Sequence, residues 1–202
     1  MKLVVTGTDT DVGKTVFAAA LAGALKARYW KPVQAGAEPE TDSQTVVRLA
    51  GVETFPEAYK FKLAASPHQA AAAEAIAIDT DALTPPTAEP LVIEGAGGLM
   101  VPLTRTTLNI DVFARWGFPL VLCARTALGT INHTLLSVEA IGARNIPLLG
   151  ITFIGNENRE SESIIIEKSG AHRLGRLPRV DPLNRESLAA AFAANFRKED
   201  FI

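Results

Sequence analysis

Residues 3–15 constrain this chain more than any other stretch. Leu3-Val4-Val5-Thr6 is short, apolar and β-branched, which suits a buried strand. It runs straight into Gly7-Thr8-Asp9-Thr10-Asp11-Val12-Gly13-Lys14-Thr15. Residues 15–28 then carry Val16, Ala19, Ala20, Gly23, Ala24 and Ala27 at helical spacing. Strand, glycine-bearing turn and helix opening on Gly-Lys-Thr are the context of a phosphate-binding P-loop. Gly13 lets the backbone approach a phosphate closely. The N–H groups of 11–16 face the anion at the helix N-terminus. Lys14 reaches the β and γ phosphates as a point charge, and the Thr15 hydroxyl is placed to bind Mg2+. One departure from the common spacing is visible: Thr8 stands at the first motif position, with Gly7 one residue earlier.

The rest of the chain repeats the strand–helix rhythm. Trp30 to Val33 reads as a short second strand. Asp42 caps a helix to about Ala50, which Gly51 stops. Ser66-Pro67 opens a helix into the alanines at 70–73, and Thr84-Pro85-Pro86-Thr87 is a loop. Leu91-Val92-Ile93 is a strand ending at Glu94. Pro119–Cys123 and Leu148–Ile154 are further strands, with a helix at Asn132–Arg144 between them and another at 161–168 after the second. Leu174–Pro178 is an edge-like strand and 186–197 a closing helix. Strands alternating with helices predict an α/β fold of the P-loop NTPase kind, a mostly parallel sheet with helices on both faces. No linker or repeat interrupts it, so residues 1–202 are expected to form one domain.

Composition narrows the function classes. Apolar residues make up 48% and charged residues 21%, an ordinary globular balance rather than a disordered one. The 20 Lys and Arg against 22 Asp and Glu leave a net charge of −2, which argues against a strongly basic nucleic-acid binder. The single cysteine, Cys123, excludes an internal disulfide and a multi-cysteine zinc site. No run approaches the roughly 18 apolar residues of a spanning helix, and Asp9, Asp11 and Lys14 break any leader-like pattern. A cytoplasmic protein, without a membrane partner, is the expectation.

A site for Mg2+ and ATP needs oxygen ligands besides Thr15. Glu94 closes an apolar strand and opens Gly95-Ala96-Gly97-Gly98, so its carboxylate points into the crevice beyond the carboxyl ends of a parallel sheet. Asp42 is a second candidate, compatible with helix capping as well. Lys31, before Pro32, reaches the same crevice or an exposed loop; the residues alone leave both open. No Ser-His-Asp or Cys-His pairing calls for a protein nucleophile. His68 and His133 read as helix-start packing or hydrogen-bonding residues and His172 as surface.

Five stretches together resemble the dethiobiotin synthetase family: Gly7–Thr15, Lys31-Pro32-Val33-Gln34-Ala35-Gly36, Ser66-Pro67-His68-Gln69-Ala70-Ala71, Val92–Gly98, and Leu128-Gly129-Thr130-Ile131-Asn132-His133. The resemblance implies a homodimeric, ATP- and Mg2+-dependent ligase that joins 7,8-diaminononanoate and CO2 into dethiobiotin, releasing ADP and phosphate. It implies Lys31 as the catalytic lysine, with Lys14, and Thr10 beside the reacting groups. Thr15, Asp42 and Glu94 match the magnesium positions. Asp11, Val12, Gly13, Lys14, Thr15 and Val16, with Glu94, Gly95, Ala96 and Gly97, match nucleotide-binding segments. Gly129, Thr130, Ile131 and Asn132 match a loop whose amides hold the substrate carboxylate at the dimer interface. Asn156 is the candidate for reading adenine, and Pro178, Arg179 and Val180 resemble a late adenine-side loop.

Two departures from the family pattern stand out. Ala35 occupies a substrate-side position where the family usually has Ser or Thr. Asn156 lies farther beyond Gly150 than the family's spacing. Two other functions share the same kind of sheet. A nucleotide-driven switch of the partitioning class usually has a lysine where Asp9 stands. An amidotransferase-type synthetase normally carries a glutaminase domain, for which this chain has no room. The face of Leu188, Phe192 and Phe196 on the closing helix suits core docking better than membrane binding, since Glu199 and Asp200 offset Arg197 and Lys198.

Overall fold

The computed structural model describes residues 1–202. In chain order the elements are β1 (Lys2–Gly7), α1 (Lys14–Leu25), β2 (Arg28–Trp30), β3 (Val33–Ala35), α2 (Asp42–Ala50), β4 (Thr54–Phe55), β5 (Tyr59–Phe61) and α3 (Pro67–Ala73). Then come β6 (Leu91–Gly98), α4 (Asn109–Trp116), β7 (Leu120–Arg125), α5 (Thr130–Gly142), β8 (Leu148–Ile154), α6 (Arg159–Ser169), β9 (Arg173–Leu177) and α7 (Arg185–Asn195). A 3-10 turn over Lys198–Phe201 ends the fold.

Seven strands make one sheet in the order β4-β2-β6-β1-β7-β8-β9, and every neighbouring pair is parallel. Period-two alternation sends successive side chains to opposite faces. Leu3, Val5, Val92, Val121 and Cys123 pack with Phe17–Ala22 of α1, Val46 and Leu49 of α2, and Leu188 and Phe192 of α7. Val4, Leu91, Ile93, Leu120, Leu122 and Phe153 pack with Ile110 and Phe113 of α4, Ile141 of α5 and Ile165 of α6. The helices therefore cover both faces. Because all the strands run the same way, their carboxyl ends share one edge, and the loops that follow them converge there. No helix is long and apolar enough to cross a membrane.

Several boundaries differ from the sequence expectation, each for a local reason. The helix expected to reach residue 28 ends at Leu25, where Lys26 enters the left-handed region at φ 52°. This releases Arg28–Trp30 to pair with β6. The strand expected over Trp30–Val33 is split. Pro32 has no N–H to continue a ladder, and Val33–Ala35 instead pairs with β5 in a separate two-stranded sheet. The strand expected to stop at Glu94 continues to Gly98, beside β1. The helix expected from Asn132 starts at Thr130, so Thr130, Ile131 and Asn132 form its first turn rather than a loop.

Helix α2 is capped by Thr41, not Asp42. The Thr41 hydroxyl accepts the Gln44 N–H at 3.2 Å, and the Gln44 side chain accepts the Thr41 N–H at 2.8 Å. This reciprocal box leaves Asp42 at the first helical position with its carboxylate free for other partners. Helix α4 and the β3–β5 pair were not legible, because at eight and three residues they are too short for a periodic signal.

The closing helix docks as expected. Leu188, Phe192 and Phe196 are buried. Phe192 stacks on Phe196 at 4.8 Å between ring centroids and lies 6.5 Å from Phe17 and 5.9 Å from Phe201. Truncating such a ring removes transfer energy and leaves a cavity, so Phe192→Ala should lose about 3–5 kcal/mol of stability in a urea titration.

Candidate active site

The P-loop leaves β1 at Gly7 and is pinned early by a hydrogen bond from the Thr8 N–H to the Cys123 carbonyl of β7 (3.0 Å). Gly13 sits at φ 94°, and a Cβ there would come within 2.9 Å of Ile154, so only glycine fits both the turn and the close approach of β8. Lys14 opens α1 with its side chain buried and its Nζ donating to the Asp9 carbonyl at 2.8 Å. Burial pulls its pKa below the ordinary lysine value and the nearby Lys31 adds to this, while Glu94 partly opposes both.

Three separate elements deliver the other charges. Lys31 follows β2, Asp42 begins α2, and Glu94 lies within β6. The Lys31 ammonium contacts Asp42 Oδ2 at 2.6 Å, Glu94 Oε1 at 3.0 Å and the Gly95 carbonyl at 3.1 Å. All three of its N–H donors thus have partners. Glu94 is wholly buried; it also accepts the Thr15 hydroxyl at Oε1 (2.9 Å) and the Tyr29 hydroxyl at Oε2 (2.8 Å). Burial works against charge on Lys31, yet Glu94 and Asp42 outweigh it and raise the pKa above the lysine norm. Burial likewise opposes the Asp42 charge, but Lys31 holds its carboxyl below the usual range. Tyr29 is pushed well up by burial and by Glu94, so it remains a donor.

These groups face a cavity of about 740 Å³. Of the predicted residues, Thr10, Asp11, Gly13, Lys14, Thr15, Val16, Lys31, Ala35, Asp42, Glu94, Ala96 and Gly97 line it. Gly97, at φ 70°, passes close to Thr10: a Cβ there would lie 3.4 Å from the Thr10 hydroxyl and 2.9 Å from Val101. Val12 instead joins the core, and Gly95 contributes its carbonyl to Lys31. Gly129 to Asn132, Asn156 and Pro178 to Val180 are not on this cavity's wall. Asn156 and Pro178 follow the adjacent parallel strands β8 and β9, beside Ile154, the neighbour of Gly13. At the start of α5 the Thr130 side chain is buried, its hydroxyl donating to the Arg125 carbonyl, while Ile131 and Asn132 are exposed.

Sequence reasoning missed part of the wall: Gln34, Ser66, Pro67 and Val101 also line it. Gln34 is buried and holds the corner together, its Oε1 accepting the Asp42 N–H at 3.1 Å and its Nε2 donating to the Gly36 carbonyl at 2.8 Å. Its signal was present in Lys31–Gly36, but an amide without a charge gave no chemical reason to single it out. His68 bonds the Ser66 hydroxyl at 3.0 Å, as a helix-start residue would, and His172 is exposed as expected. His133 is exposed rather than packed.

The donor set can be tested against a hard divalent cation. Thr15, Asp42 and Glu94 offer only oxygen, and no three His, Cys, Asp or Glu side chains are grouped so as to hold a metal ion by themselves. That suits Mg2+, which takes one or two carboxylates and completes its shell with phosphate and water oxygens, and it does not suit zinc.

A parallel sheet with its P-loop, lysines and carboxylates at one edge defines a nucleotide-binding protein of the P-loop class. A family profile described as "AAA domain" matches residues 1–187. The chain is 62% identical over 205 residues to the ATP-dependent dethiobiotin synthetase BioD of Rhodopseudomonas palustris (strain TIE-1), covering 100% of this chain and 97% of the relative. It is 57% identical to the protein of the same name from Sphingopyxis alaskensis, covering 99% and 98%. This chain belongs to the ATP-dependent dethiobiotin synthetase family. Among solved structures it resembles a ParA family ATPase from Chlorobium tepidum TLS (TM-score 0.52, 13% identity, 96% of this chain and 92% of that one). It also resembles chloroplast FtsY from Physcomitrella patens (TM-score 0.51, 14% identity, 94% and 64%). Both likenesses concern the fold alone.

Removing Lys31 would leave Asp42 and Glu94 facing each other without a cation. Lys31→Ala should therefore cost about 3–5 kcal/mol in metal-free buffer, and added magnesium should recover part of the loss in a thermal melt. Asp42→Asn should keep helix α2, because Thr41 supplies the cap, while raising the magnesium concentration needed for half-maximal nucleotide binding. An unchanged magnesium titration would assign Asp42 a structural role only.

Proposed function

We propose that the chain is a ligase that carboxylates and cyclises 7,8-diaminononanoate with CO2 to dethiobiotin, at the expense of ATP, releasing ADP and phosphate. The observation that carries this reading is the convergence of Lys14, Lys31, Asp42 and Glu94 on one cavity at the P-loop, in a chain about 60% identical to named dethiobiotin synthetases along its whole length. Residues 1–202 act as one domain, whose lone buried thiol suits a reducing cytoplasm.

One substrate amine takes up CO2 as a carbamate. A carbamate oxygen attacks the γ-phosphorus and ADP leaves, giving a mixed carbamic–phosphoric anhydride. The second amine then attacks the carbonyl carbon, closes the cyclic urea and expels phosphate. Negative charge gathers on carbamate and phosphoryl oxygens, and preorganised cations aimed there lower the barrier. Lys14 serves the nucleotide phosphates. Lys31 serves the reacting oxygens by exchanging one of its three present partners for them. Thr10, beside Gly97, borders the reacting groups. Positioning of amine, CO2 and phosphate supplies much of the remainder.

Thr15, Asp42 and Glu94 would hold Mg2+, which neutralises phosphate charge when bound. Asp11–Val16 and Glu94–Gly97 cradle the nucleotide, with Asn156 and Pro178–Val180 on the base side. Ala35 leaves the substrate wall there without a hydroxyl, next to Gln34. The protein is a homodimer in which the first turn of α5, Gly129–Asn132, receives the substrate carboxylate of the neighbouring subunit. Free N–H groups and the helix dipole favour an anion there. The apolar Leu128, Ile131 and Leu136, all exposed around that turn, support its burial against a second copy.

Protein mixed with Mg2+, ATP, bicarbonate and the diamine should release phosphate only when both other substrates are present, with the cyclic urea appearing by mass spectrometry. Equal ATP hydrolysis without diamine, and no ring product, would favour a nucleotide switch instead. Lys31→Ala assayed with magnesium should cut turnover about 100-fold or more. For the shared site, Asn132→Glu places a repelling charge at the α5 turn without disturbing buried Thr130. Mixing Asn132→Glu with Lys31→Ala chains should yield hybrid dimers with activity that neither parent has. Confirmed subunit exchange without recovered activity would overturn the shared-site assignment.

A further inference from the structure

Arg125, the last residue of β7, lies outside every role assigned above, yet three of the site's parts meet at it and its neighbour. Its guanidinium Nη2 pairs with Asp9 Oδ2 in the P-loop. Its carbonyl accepts the Thr130 hydroxyl at the start of α5. The next residue, Thr126, packs its hydroxyl against Gly155, and its carbonyl accepts the Asn158 side-chain N–H at 3.3 Å. The segment therefore ties the P-loop to the α5 turn and to the β8 turn that carries Asn156.

The Asp9 contact has the clearest chemical consequence. Asp9 Oδ1 accepts the Thr10 N–H at 2.7 Å, and the Asp9 carbonyl accepts Lys14 Nζ at 2.8 Å. Asp9 thus orients the residue beside the reacting groups and the phosphate lysine together. Its own side chain is about half exposed, as is that of Arg125 (48% and 39%). A lone carboxylate so exposed would be free to swing away, and the contact with the Arg125 cation restricts that freedom.

We propose that Arg125 is a positioning residue of the phosphate loop, holding Asp9 so that Thr10 and Lys14 are set for nucleotide before it arrives. The inference rests on the reading of Thr8–Thr15 as the phosphate loop, and its test is nucleotide affinity rather than ligase turnover. A wild-type protein that binds ATP but forms no ring would therefore overturn the ligase reading and leave this one standing.

The experiment is a double-mutant cycle by titration calorimetry with ATP and Mg2+, using Arg125→Gln, Asp9→Asn and the pair. Asn can still accept the Thr10 N–H, so Asp9→Asn removes the charge and little else. Each single change should weaken ATP binding about fivefold, the upper range for a half-exposed ion pair. The double variant should be no weaker than either single one, and Arg125→Lys should recover most of the affinity. Melting temperatures should stay near wild type, which separates positioning from a general loss of structure. Unchanged ATP affinity in Arg125→Gln, losses that multiply in the double variant, or Arg125→Lys binding as weakly as Arg125→Gln would each overturn the proposal.

Discussion

The Lys31 ammonium, held between Asp42 and Glu94, is the interaction on which the rest of the site depends. A fully buried carboxylate such as Glu94 is tolerated in a sheet interior only with a partner charge and saturated hydrogen bonding. Lys31, Thr15 and Tyr29 supply both. The same contacts join β6, α1, β2 and the start of α2 around one point. Four elements that arrive along different crossovers are thus held in register by a compact polar knot, flanked on both faces of the sheet by apolar layers.

That knot also presets the electrostatics. Lys14 and Lys31 balance Asp42 and Glu94 before any ligand enters, and Asp11 adds a third carboxylate to the cavity wall. Glu94 and Asp42 raise the pKa of Lys31 against its burial, whereas burial lowers that of Lys14. The division matches their positions: Lys14 touches only a backbone carbonyl, and Lys31 touches two carboxylates.

Much of the site was legible from residue types alone. Gly13-Lys14-Thr15 after a β-branched run leaves few structural alternatives, and Glu94 after an apolar run was expected at the crevice, where it lies although β6 runs on to Gly98. Asp42 was placed correctly but for the wrong local reason, since Thr41 and Gln44 cap α2 and leave Asp42 to Lys31. Residue types alone could not separate Lys31 from a surface lysine, because its carboxylates lie 11 and 63 residues away; only the family resemblance singled it out. Tyr29 and Arg125 stayed invisible for the same reason: each matters through a partner that only the folded chain brings near.

The sequence by itself determined the alternation of strand and helix, the phosphate loop and the family, because these rest on local sterics, hydrophobic period and contiguous motifs. Tertiary structure decided where β2 ends, that Val33–Ala35 joins a second sheet, and that an eight-residue α4 covers one face. Short elements carry too little intrinsic preference to form alone and are stabilised by burial against their neighbours. It also decided which charges pair, since Coulomb and hydrogen-bond energies depend on distances between atoms far apart in the chain.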